Sequence, residues 1–181
     1  MLALTTGMRR GELLALHWAD IDLDVGHLQV RYTVQHITGG GYVFSPPKTP
    51  RSRRKIALSA RAITALRKHY TRQLEHRQTI GEAWQDEDLV FPNECGQAMR
   101  GNHILQRNST PLLVKAGLPL IRFHDLRHTA ATLLLLQGIN PKIVSEMLGH
   151  STVSMTLDTY SHVLPDMQRD ATAALDRLLG D

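Results

Sequence analysis

Tyr160, near the end of the chain, follows His150 of a Leu-Gly-His sequence by ten residues. A phenol is a weak nucleophile at neutral pH because its pKa is about 10. A tyrosine therefore needs cations around the group that it attacks. Candidate side chains of this kind are spread along the chain: Arg9, Lys48, His124, Arg127 and His150. This pattern predicts that Tyr160 attacks a phosphate group that these side chains surround.

The first arginine candidate lies in the sequence Thr-Gly-Met-Arg-Arg-Gly-Glu, which ends at Glu12. Its glycines allow a close approach to the start of the next helix, where free N–H groups favour an anion. There Arg9 could direct two hydrogen bonds to phosphate oxygens, although many such arginines are ordinary surface residues. We expect Glu12 to be a buried partner that orients an arginine rather than a catalytic acid.

A second group, His-Asp-Leu-Arg-His from His124 to His128, opens a predicted helix. His124 and Arg127 are three residues apart and therefore share a face of that helix. His124 and His128 share a face as well, which suggests a metal site. However, Asp125 replaces the glutamate of the zinc-protease pattern, and no third ligand has a suitable spacing. We therefore expect no metal, and we predict that His128 is a partly buried histidine with satisfied hydrogen bonds.

The third and fourth groups surround His150 and Lys48. Gly149 fits a helix C-cap, which places His150 at the start of a turn. Lys48 lies in a link between two predicted strands, from which it could protonate a leaving oxygen. A tyrosine at a helix end is commonly a packing residue, so Tyr160 alone does not decide between packing and chemistry. His162, just beyond it, is predicted to be exposed to solvent.

Positive charge is concentrated in one part of the chain. The net charge is +4, yet no acidic residue occurs between Asp24 and Glu75, an interval that holds ten lysines and arginines. A solvated basic face is the ordinary explanation, but the exclusion of acids favours a polyanionic partner. A membrane surface is a weaker alternative, because no basic amphipathic helix with aromatic anchors accompanies the charges. The predicted contacts to a DNA backbone are Arg51, Arg53, Arg54 and Lys55.

The composition is typical of a globular protein. A chain of 181 residues, of which 42% are hydrophobic, can form one packed domain. No apolar run approaches the ~18 residues that a membrane span needs. The single cysteine, Cys95, excludes an internal disulfide and a multi-cysteine zinc site. The uncapped apolar start at Met1 lacks the features of a signal peptide, and we expect the native chain to continue upstream.

Hydrophobic spacing predicts a mostly helical fold with a small sheet. Strands are expected at 21–24, 27–34, 42–44 and 55–58, and the tight connections between them favour antiparallel pairing. Helices are expected at 11–18, 59–77, 102–116, 124–137, 141–147, 153–158 and 165–179. The predicted fold class is therefore α+β, mainly helical, with a small three-stranded antiparallel sheet.

In this order and spacing, the four groups resemble the tyrosine recombinases, and specifically the phage-type integrases, over nearly the whole chain. The matching positions are Arg9 in the first arginine box, Lys48 in the β-hairpin, His124 and Arg127 in the second box, His150 in the third, and Tyr160 as the nucleophile. Arg10 falls at a variable position. The resemblance implies the DNA breaking-rejoining fold of the family's catalytic domain over residues 1–181. The helical DNA-clamping domain that such enzymes carry upstream would lie outside this chain.

The resemblance also implies a mechanism. Arg9 and Arg127 would hold the non-bridging oxygens of a DNA phosphate, which His150 would also bind. Tyr160 would form a 3′-phosphotyrosyl link, and Lys48 would protonate the leaving 5′-oxygen. Because the phosphodiester energy is conserved in the covalent link, rejoining would need no ATP, metal or other cofactor. The leading prediction is therefore site-specific DNA recombination, as integration or excision.

For His124, the resemblance implies assistance to proton transfer at the nucleophile. The expected partners are double-stranded DNA, further copies of the chain in a homo-tetramer on DNA, and accessory DNA-bending proteins, with no membrane involved. The expected location is cytoplasmic, for a bacterial nucleoid or phage-encoded enzyme. The last helix, 165–179, has an apolar stripe that would either fold back on its own domain or dock on a neighbouring protomer.

Three other functions remain open at this stage. The chain could be a binding module with the same fold that occupies DNA without cutting it. It could relax DNA as type IB topoisomerases do, by the same chemistry. A metal-dependent hydrolase around His124 and His128 ranks last.

Overall fold

The computed structural model describes residues 1–47, 49–101, 110–161 and 167–180. Eight helices form in these residues and are numbered α1 to α8: Leu2–Thr6, Arg10–Leu14, Ala60–Ile80, Thr110–Lys115, Phe123–Leu136, Pro141–Leu148, Val153–Tyr160 and Met167–Leu179. Five strands are numbered β1 to β5: Ile21–Asp22, His27–Val30, Thr33–Ile37, Gly41–Ser45 and Arg54–Ala57. The predicted fold class, mainly helical with small antiparallel sheets, is confirmed.

The strands form two antiparallel sheets. One has three strands in the order β1-β2-β5, with Leu28 opposite both Ile21 and Ile56. The other is a hairpin of β3 and β4. The predicted single strand 27–34 is therefore divided between the two sheets. The alternation of buried and exposed side chains fails at Tyr32, which is 41% exposed, and this break separates β2 from β3.

Capping residues explain why three of the helices begin where they do. The Ser59 hydroxyl accepts a hydrogen bond from the backbone of Ala62 at the start of α3. Asn140 caps α6 and Thr152 caps α7 in the same way. Helix α6 ends at Gly149, which has φ = +69°, a conformation that favours glycine. This left-handed residue turns the chain sharply into His150.

Helix α2 ends sooner than predicted. It was expected to reach Trp18 but ends at Leu14. The following backbone instead pairs with a distant segment, because Val90 N–H donates to Leu16 O and Trp18 N–H donates to Asp88 O. Backbone groups that are used in this pairing cannot continue a helix.

Two apolar clusters form the core. The larger one joins α1, α2, α3 and the three-stranded sheet, and includes Met8, Leu16, Leu28 and Val30. The smaller one joins α5, α6 and α7, and contains Ala131, Leu135, Val144, Leu148 and Tyr160. Helix α1 packs on α5, and strand β5 contacts α6, so elements from both ends of the chain meet.

Some predictions fall on residues that the structure does not describe. Lys48 and His162 lie outside the described residues, as does most of the predicted helix 102–116, of which only the part in α4 is described. The predicted last helix corresponds to α8.

Candidate active site

A buried carboxylate holds two arginines at one side of the site. Glu12, in α2, is only 3% exposed. It accepts hydrogen bonds from the Arg9 side chain at 2.9 Å and from Arg54 at 2.8 Å and 3.2 Å. It also accepts one from the Arg9 backbone N–H, which caps the helix. Arg9 is thereby fixed at the N-terminus of α2, and its Nη2 donates to Gly149 O at 3.3 Å.

Opposing effects act on the Glu12 carboxyl. Burial raises its pKa, but the hydrogen bonds and positive charges of Arg54 and Arg9 outweigh burial and hold the pKa below its usual value. Glu12 is therefore ionised at neutral pH. The site thus contains an ionised carboxylate that is hydrogen-bonded to Arg9 and Arg54.

Arg54 corrects a prediction from the sequence, where it was expected to bind the DNA backbone. It is 8% exposed, and besides the two bonds to Glu12 it donates from Nε to Met147 O at 2.6 Å and from Nη1 to Ser52 O at 3.1 Å. A guanidinium so buried and so fully hydrogen-bonded is not available to a DNA phosphate. It instead connects β5 and α2 to the end of α6.

The other three residues of the predicted basic segment are exposed. Arg51, Arg53 and Lys55 all face solvent. Arg51 lies near the turn that carries His150, because its Nη1 donates to the backbone oxygen of Ser151. Their assignment as contacts to the DNA backbone stays a prediction.

Arg127 lies on α5 and is 3% exposed. Its Nη1 donates to Gly7 O at 2.7 Å. Its Nη2 is buried and has no hydrogen-bond partner among the described residues. Burial, followed by the charges of Arg9 and Arg54, lowers the Arg127 pKa to about 10. The group is still protonated at neutral pH, so the α5 side of the site has an uncompensated buried cation.

His150 follows α6 and adds a neutral group to the same space. Its Nδ1 lies 2.7 Å from the hydroxyl of Thr156, a residue that is completely buried in α7. Burial, and then the charges of Arg127 and Arg9, lower the His150 pKa to about 4. At neutral pH the ring is therefore uncharged. When Thr156 donates to Nδ1, the single ring proton is on Nε2, which can donate to an anion.

Tyr160 ends α7 with its side chain in the smaller core cluster, and only 3% of it is exposed. Its hydroxyl lies 2.8 Å from Nδ1 of His128. Burial raises the Tyr160 pKa, and the charge of Arg127 opposes that shift. The phenol is therefore protonated at neutral pH and hydrogen-bonded to a histidine.

His124 lies one helical turn before His128, and their rings meet edge to face with centroids 4.8 Å apart. His124 is exposed, whereas His128 is half-buried. Burial of its ring, together with the charges of His128 and Arg127, lowers the His124 pKa. The described hydrogen-bond partner of the Tyr160 hydroxyl is His128. The resemblance had instead implied that His124 assists proton transfer at this tyrosine.

A basic groove of about 1130 Å³ runs from Arg9 and His124 along the β3–β4 hairpin. Its described lining includes four arginines and no carboxylate: Arg9, Arg10, Arg100 and Arg122. The last three of these are not among the site residues predicted from the sequence. Arg10 falls at a variable position of the family pattern, and Arg100 and Arg122 lie outside the dense basic segment. Their proximity is a consequence of the tertiary fold.

Among the described residues, no group of three or more histidine, cysteine, aspartate or glutamate side chains is placed to hold a metal ion. No helix in the described segments is both long and apolar enough to cross a membrane.

The described geometry brings together Arg9, His124, Arg127, His150 and Tyr160, and adds three residues whose part in the site the sequence analysis did not anticipate: Arg54, His128 and Thr156. The burial of Arg54 could have been predicted from strand alternation, because Arg54 shares a face of β5 with the buried Ile56. No sequence pattern distinguishes His128 or Thr156 from the residues around them. The contacts of His128 with Tyr160 and of Thr156 with His150 depend on how α5, α6 and α7 pack.

Comparisons with known proteins identify the family and the fold of the chain. Residues 1–167 match the phage integrase family. The chain is 34% identical to a tyrosine recombinase XerC-like protein of Caldanaerobacter subterraneus subsp. tengcongensis, over 98% of this chain and 48% of that protein. It is 30% identical to the ICEBs1 integrase of Bacillus subtilis (strain 168), again over 98% of this chain and 48% of the relative.

Two solved structures show the same fold. The Tn1549 transposon integrase, in complex with circular intermediate DNA, is 26% identical with a TM-score of 0.78, covering 96% of this chain and 57% of that one. The XerH site-specific recombinase bound to palindromic difH substrate, in a post-cleavage complex, is 26% identical with a TM-score of 0.62, covering 96% of this chain and 43% of that one. The chain spans about half the length of the curated relatives that it matches. It belongs to the phage integrase family.

Proposed function

We propose that this chain is the strand-cleaving domain of a site-specific DNA recombinase, which integrates or excises DNA through a covalent link to Tyr160. The single observation that carries the proposal is the buried Nη2 of Arg127, which has no partner among the described residues. A buried cationic donor without a partner is costly, and a bound anion would satisfy it. The surrounding groups then limit what that anion is.

The anion that fits is a phosphodiester in a DNA backbone. Arg9 and Arg127 would each hold a non-bridging oxygen, and the neutral His150 would donate a further hydrogen bond to the phosphate. The family relationship supports this assignment, as does the similarity to the Tn1549 transposon integrase, whose structure is a complex with circular intermediate DNA. Preformed donors of this kind stabilise the negative charge that develops at phosphorus during attack.

The reaction is an in-line displacement at phosphorus. The Oη of Tyr160 forms a bond to phosphorus, the bond from phosphorus to the 5′-oxygen breaks, and the leaving oxygen takes a proton from Lys48. The phenol proton passes to a nearby base. The product is a 3′-phosphotyrosyl link and a free 5′-hydroxyl. Attack on that link by the 5′-hydroxyl of another strand reverses the steps and completes the exchange.

Two basic surfaces would hold the rest of the duplex. On one side, the groove with Arg10, Arg100 and Arg122 continues from the phosphate site. On the other side stand the exposed Arg51, Arg53 and Lys55, of which Arg51 contacts the turn that carries His150. Contacts of this type give affinity that depends little on sequence and strongly on salt. A homo-tetramer on DNA and accessory DNA-bending proteins belong to the same proposal for the complete protein.

The test is covalent capture on a nicked suicide duplex of the cognate site. Because the duplex is nicked near the scissile phosphate, cleavage releases a short oligonucleotide that carries the new 5′-hydroxyl. Once this fragment diffuses away, ligation cannot occur and the covalent adduct accumulates. We expect the wild-type protein to form an adduct and Tyr160→Phe to form none. Tyr70→Phe, at an exposed tyrosine on α3, serves as the matched control and should react like the wild type.

Other outcomes would point to other functions. An adduct from Tyr160→Phe would contradict the assignment of the nucleophile. DNA binding without any adduct would favour the non-cleaving module. Relaxed rather than recombined circles would favour the topoisomerase-like activity, and a loss of activity on adding a chelator would favour a metal-dependent hydrolase.

A further inference from the structure

His128 is the described side chain in hydrogen-bonding contact with the proposed nucleophile. Its Nδ1 lies 2.8 Å from the Tyr160 hydroxyl, and the two rings are 5.8 Å apart with their planes inclined at 57°. Burial raises the pKa of the phenol, so Tyr160 attacks only if a neighbouring group takes its proton. A base within hydrogen-bonding distance is the geometric requirement for that transfer, and His128 meets it.

The other basic groups of the site are less suited to this task. A protonated arginine has no acceptor atom, which excludes Arg127. The Nδ1 of His150 is already paired with Thr156. His124 is exposed, and its ring is packed against the ring of His128. Of the described groups, only His128 places a ring nitrogen in contact with the phenol, and in the tautomer with its proton on Nε2 that nitrogen is an acceptor.

We infer that His128 is a catalytic residue that accepts the Tyr160 proton during cleavage and returns it during ligation. This inference rests on the proposed function. As Oη bonds to phosphorus, the O–H electron pair moves into the new O–P bond and the proton moves to Nδ1 of His128. The bond to the 5′-oxygen breaks, and that oxygen takes its proton from a separate donor. In the reverse direction, Nδ1 reprotonates the tyrosine as it leaves phosphorus.

The sequence places this base next to a phosphate ligand. His128 directly follows Arg127 on α5, so the helix that positions the phosphate also positions the proton acceptor. The contact between His128 and Tyr160 spans 32 residues, which means that it joins α5 to α7 by tertiary packing. A proton acceptor in this position would align the phenol for attack and remove its proton in the same step.

The experiment uses the nicked suicide duplex with two variants, His128→Asn and His128→Ala. An asparagine amide can occupy nearly the position of Nδ1 and keep a hydrogen bond to the phenol, but it cannot take a proton at neutral pH. His76→Asn, on α3 and away from the site, is the matched control. Thermal melting and non-covalent DNA binding are measured for every variant, so that a folding defect is recognised.

Two chemical substitutions identify the step that His128 serves. One duplex has sulfur in place of the leaving 5′-oxygen, which makes the leaving group independent of a proton donor. In a second set of proteins, a fluorinated tyrosine at position 160 lowers the pKa of the phenol and reduces its need for a base. Neither change relies on a comparison between differently folded proteins.

We expect His128→Asn to fold and bind DNA normally but to form the adduct about 10²–10⁴-fold more slowly. The sulfur substitution should leave this defect in place, whereas the fluorinated tyrosine should reduce it by at least tenfold. A rate for His128→Asn within threefold of the wild type would overturn the inference. So would recovery on the sulfur substrate, or no recovery with the fluorinated tyrosine.

The result also separates this inference from the function on which it rests. If the wild-type protein forms no adduct, both fail. If the wild type forms an adduct, Tyr160→Phe does not, and His128→Asn reacts normally, only the role of His128 fails.

Discussion

The two sides of the site treat their arginines in opposite ways. On the α2 side, Arg9 and Arg54 both donate to the buried carboxylate of Glu12. On the α5 side, Arg127 is 3% exposed, and the described contact to its side chain is the backbone oxygen of Gly7. One side is therefore a closed ion-pair network, and the other retains an unused donor. Under the proposed function, the first side would hold the site rigid and the second would bind an anion.

This difference shows why a buried cation is tolerated at all. The carboxylate of Glu12 raises the Arg127 pKa only as a minor effect, while burial and the charges of Arg9 and Arg54 lower it. The buried charge costs stability in the free protein, and under the proposed function the binding of an anion would offset that cost. Stability and function should therefore separate cleanly when the two sides are changed one at a time.

The largest expected effect comes from Glu12→Gln, which breaks the closed side. The glutamine keeps hydrogen-bonding capacity but removes the negative charge, leaving Arg54 as a buried cation without a counter-ion. We expect the free energy of unfolding to fall by about 3–5 kcal/mol in urea titrations. The exposed Glu82→Gln is the control and should stay within about 0.5 kcal/mol of the wild type. A loss below about 1 kcal/mol for Glu12→Gln would refute the contrast.

Arg127→Met addresses the open side and should have the opposite profile. It removes one hydrogen bond to Gly7 O together with an uncompensated buried charge, so stability should change by less than about 1 kcal/mol. Adduct formation should fall by at least about 10²–10³-fold, because one donor to the developing charge is lost. Arg77→Met, at an exposed surface ion pair, is the control. A variant that unfolds like Glu12→Gln would show that Arg127 is structural.

The stability of the protein should depend on pH because His150 is neutral beside these cations and becomes protonated when the pH falls. Its pKa is about 4 in the folded protein and about 6.5 when unfolded, so in this interval the unfolded chain binds more protons. The contribution of the neutral His150 to the free energy of unfolding is complete above pH 6.5 and is lost as the pH falls towards 4. We expect a decrease of up to roughly 3 kcal/mol, measured by urea unfolding at several pH values. His150→Gln should flatten this part of the profile, and an unchanged slope would contradict the assignment.

Thr156→Val should give the smallest effect of the four. Valine has nearly the shape of threonine but cannot hydrogen-bond to Nδ1 of His150, so the ring can adopt the other tautomer. Adduct formation should slow by about tenfold, corresponding to one lost hydrogen bond. The nitrogen chemical shifts of His150 in NMR spectra would report the tautomer directly. Thr156→Ser keeps the hydroxyl and should retain the wild-type spectrum; a wild-type spectrum for Thr156→Val would exclude this role.

The sequence allowed the fold and much of the site to be predicted, for physical reasons that can be named. Helices α5, α6 and α7 have clear caps and spacing, and the groups around Arg9, Arg127 and His150 lie at helix termini or turns. Arg54 was assigned to the surface because charge density was considered without strand alternation. Its true position depends on the pairing of β5 with β2 and on the contact of β5 with α6.

Side-chain partners across the chain were harder to predict. Tyr160 could equally have been a packing residue or a nucleophile, and the structure shows it buried in the smaller core cluster beside a histidine. The His128 prediction, a partly buried histidine, described its exposure but not its partner. No local pattern specifies which residue 32 positions away a ring nitrogen will meet.

Three guanidinium groups each donate to a backbone oxygen far away along the chain. The separations are 93 residues for Arg54 and Met147, 120 for Arg127 and Gly7, and 140 for Arg9 and Gly149. Contacts with such long loops form late and are lost early, because closing them requires most of the chain to be ordered. A partly folded or locally opened molecule would therefore lack the assembled arrangement of Arg9, Arg54 and Arg127 on which the proposed DNA cleavage depends.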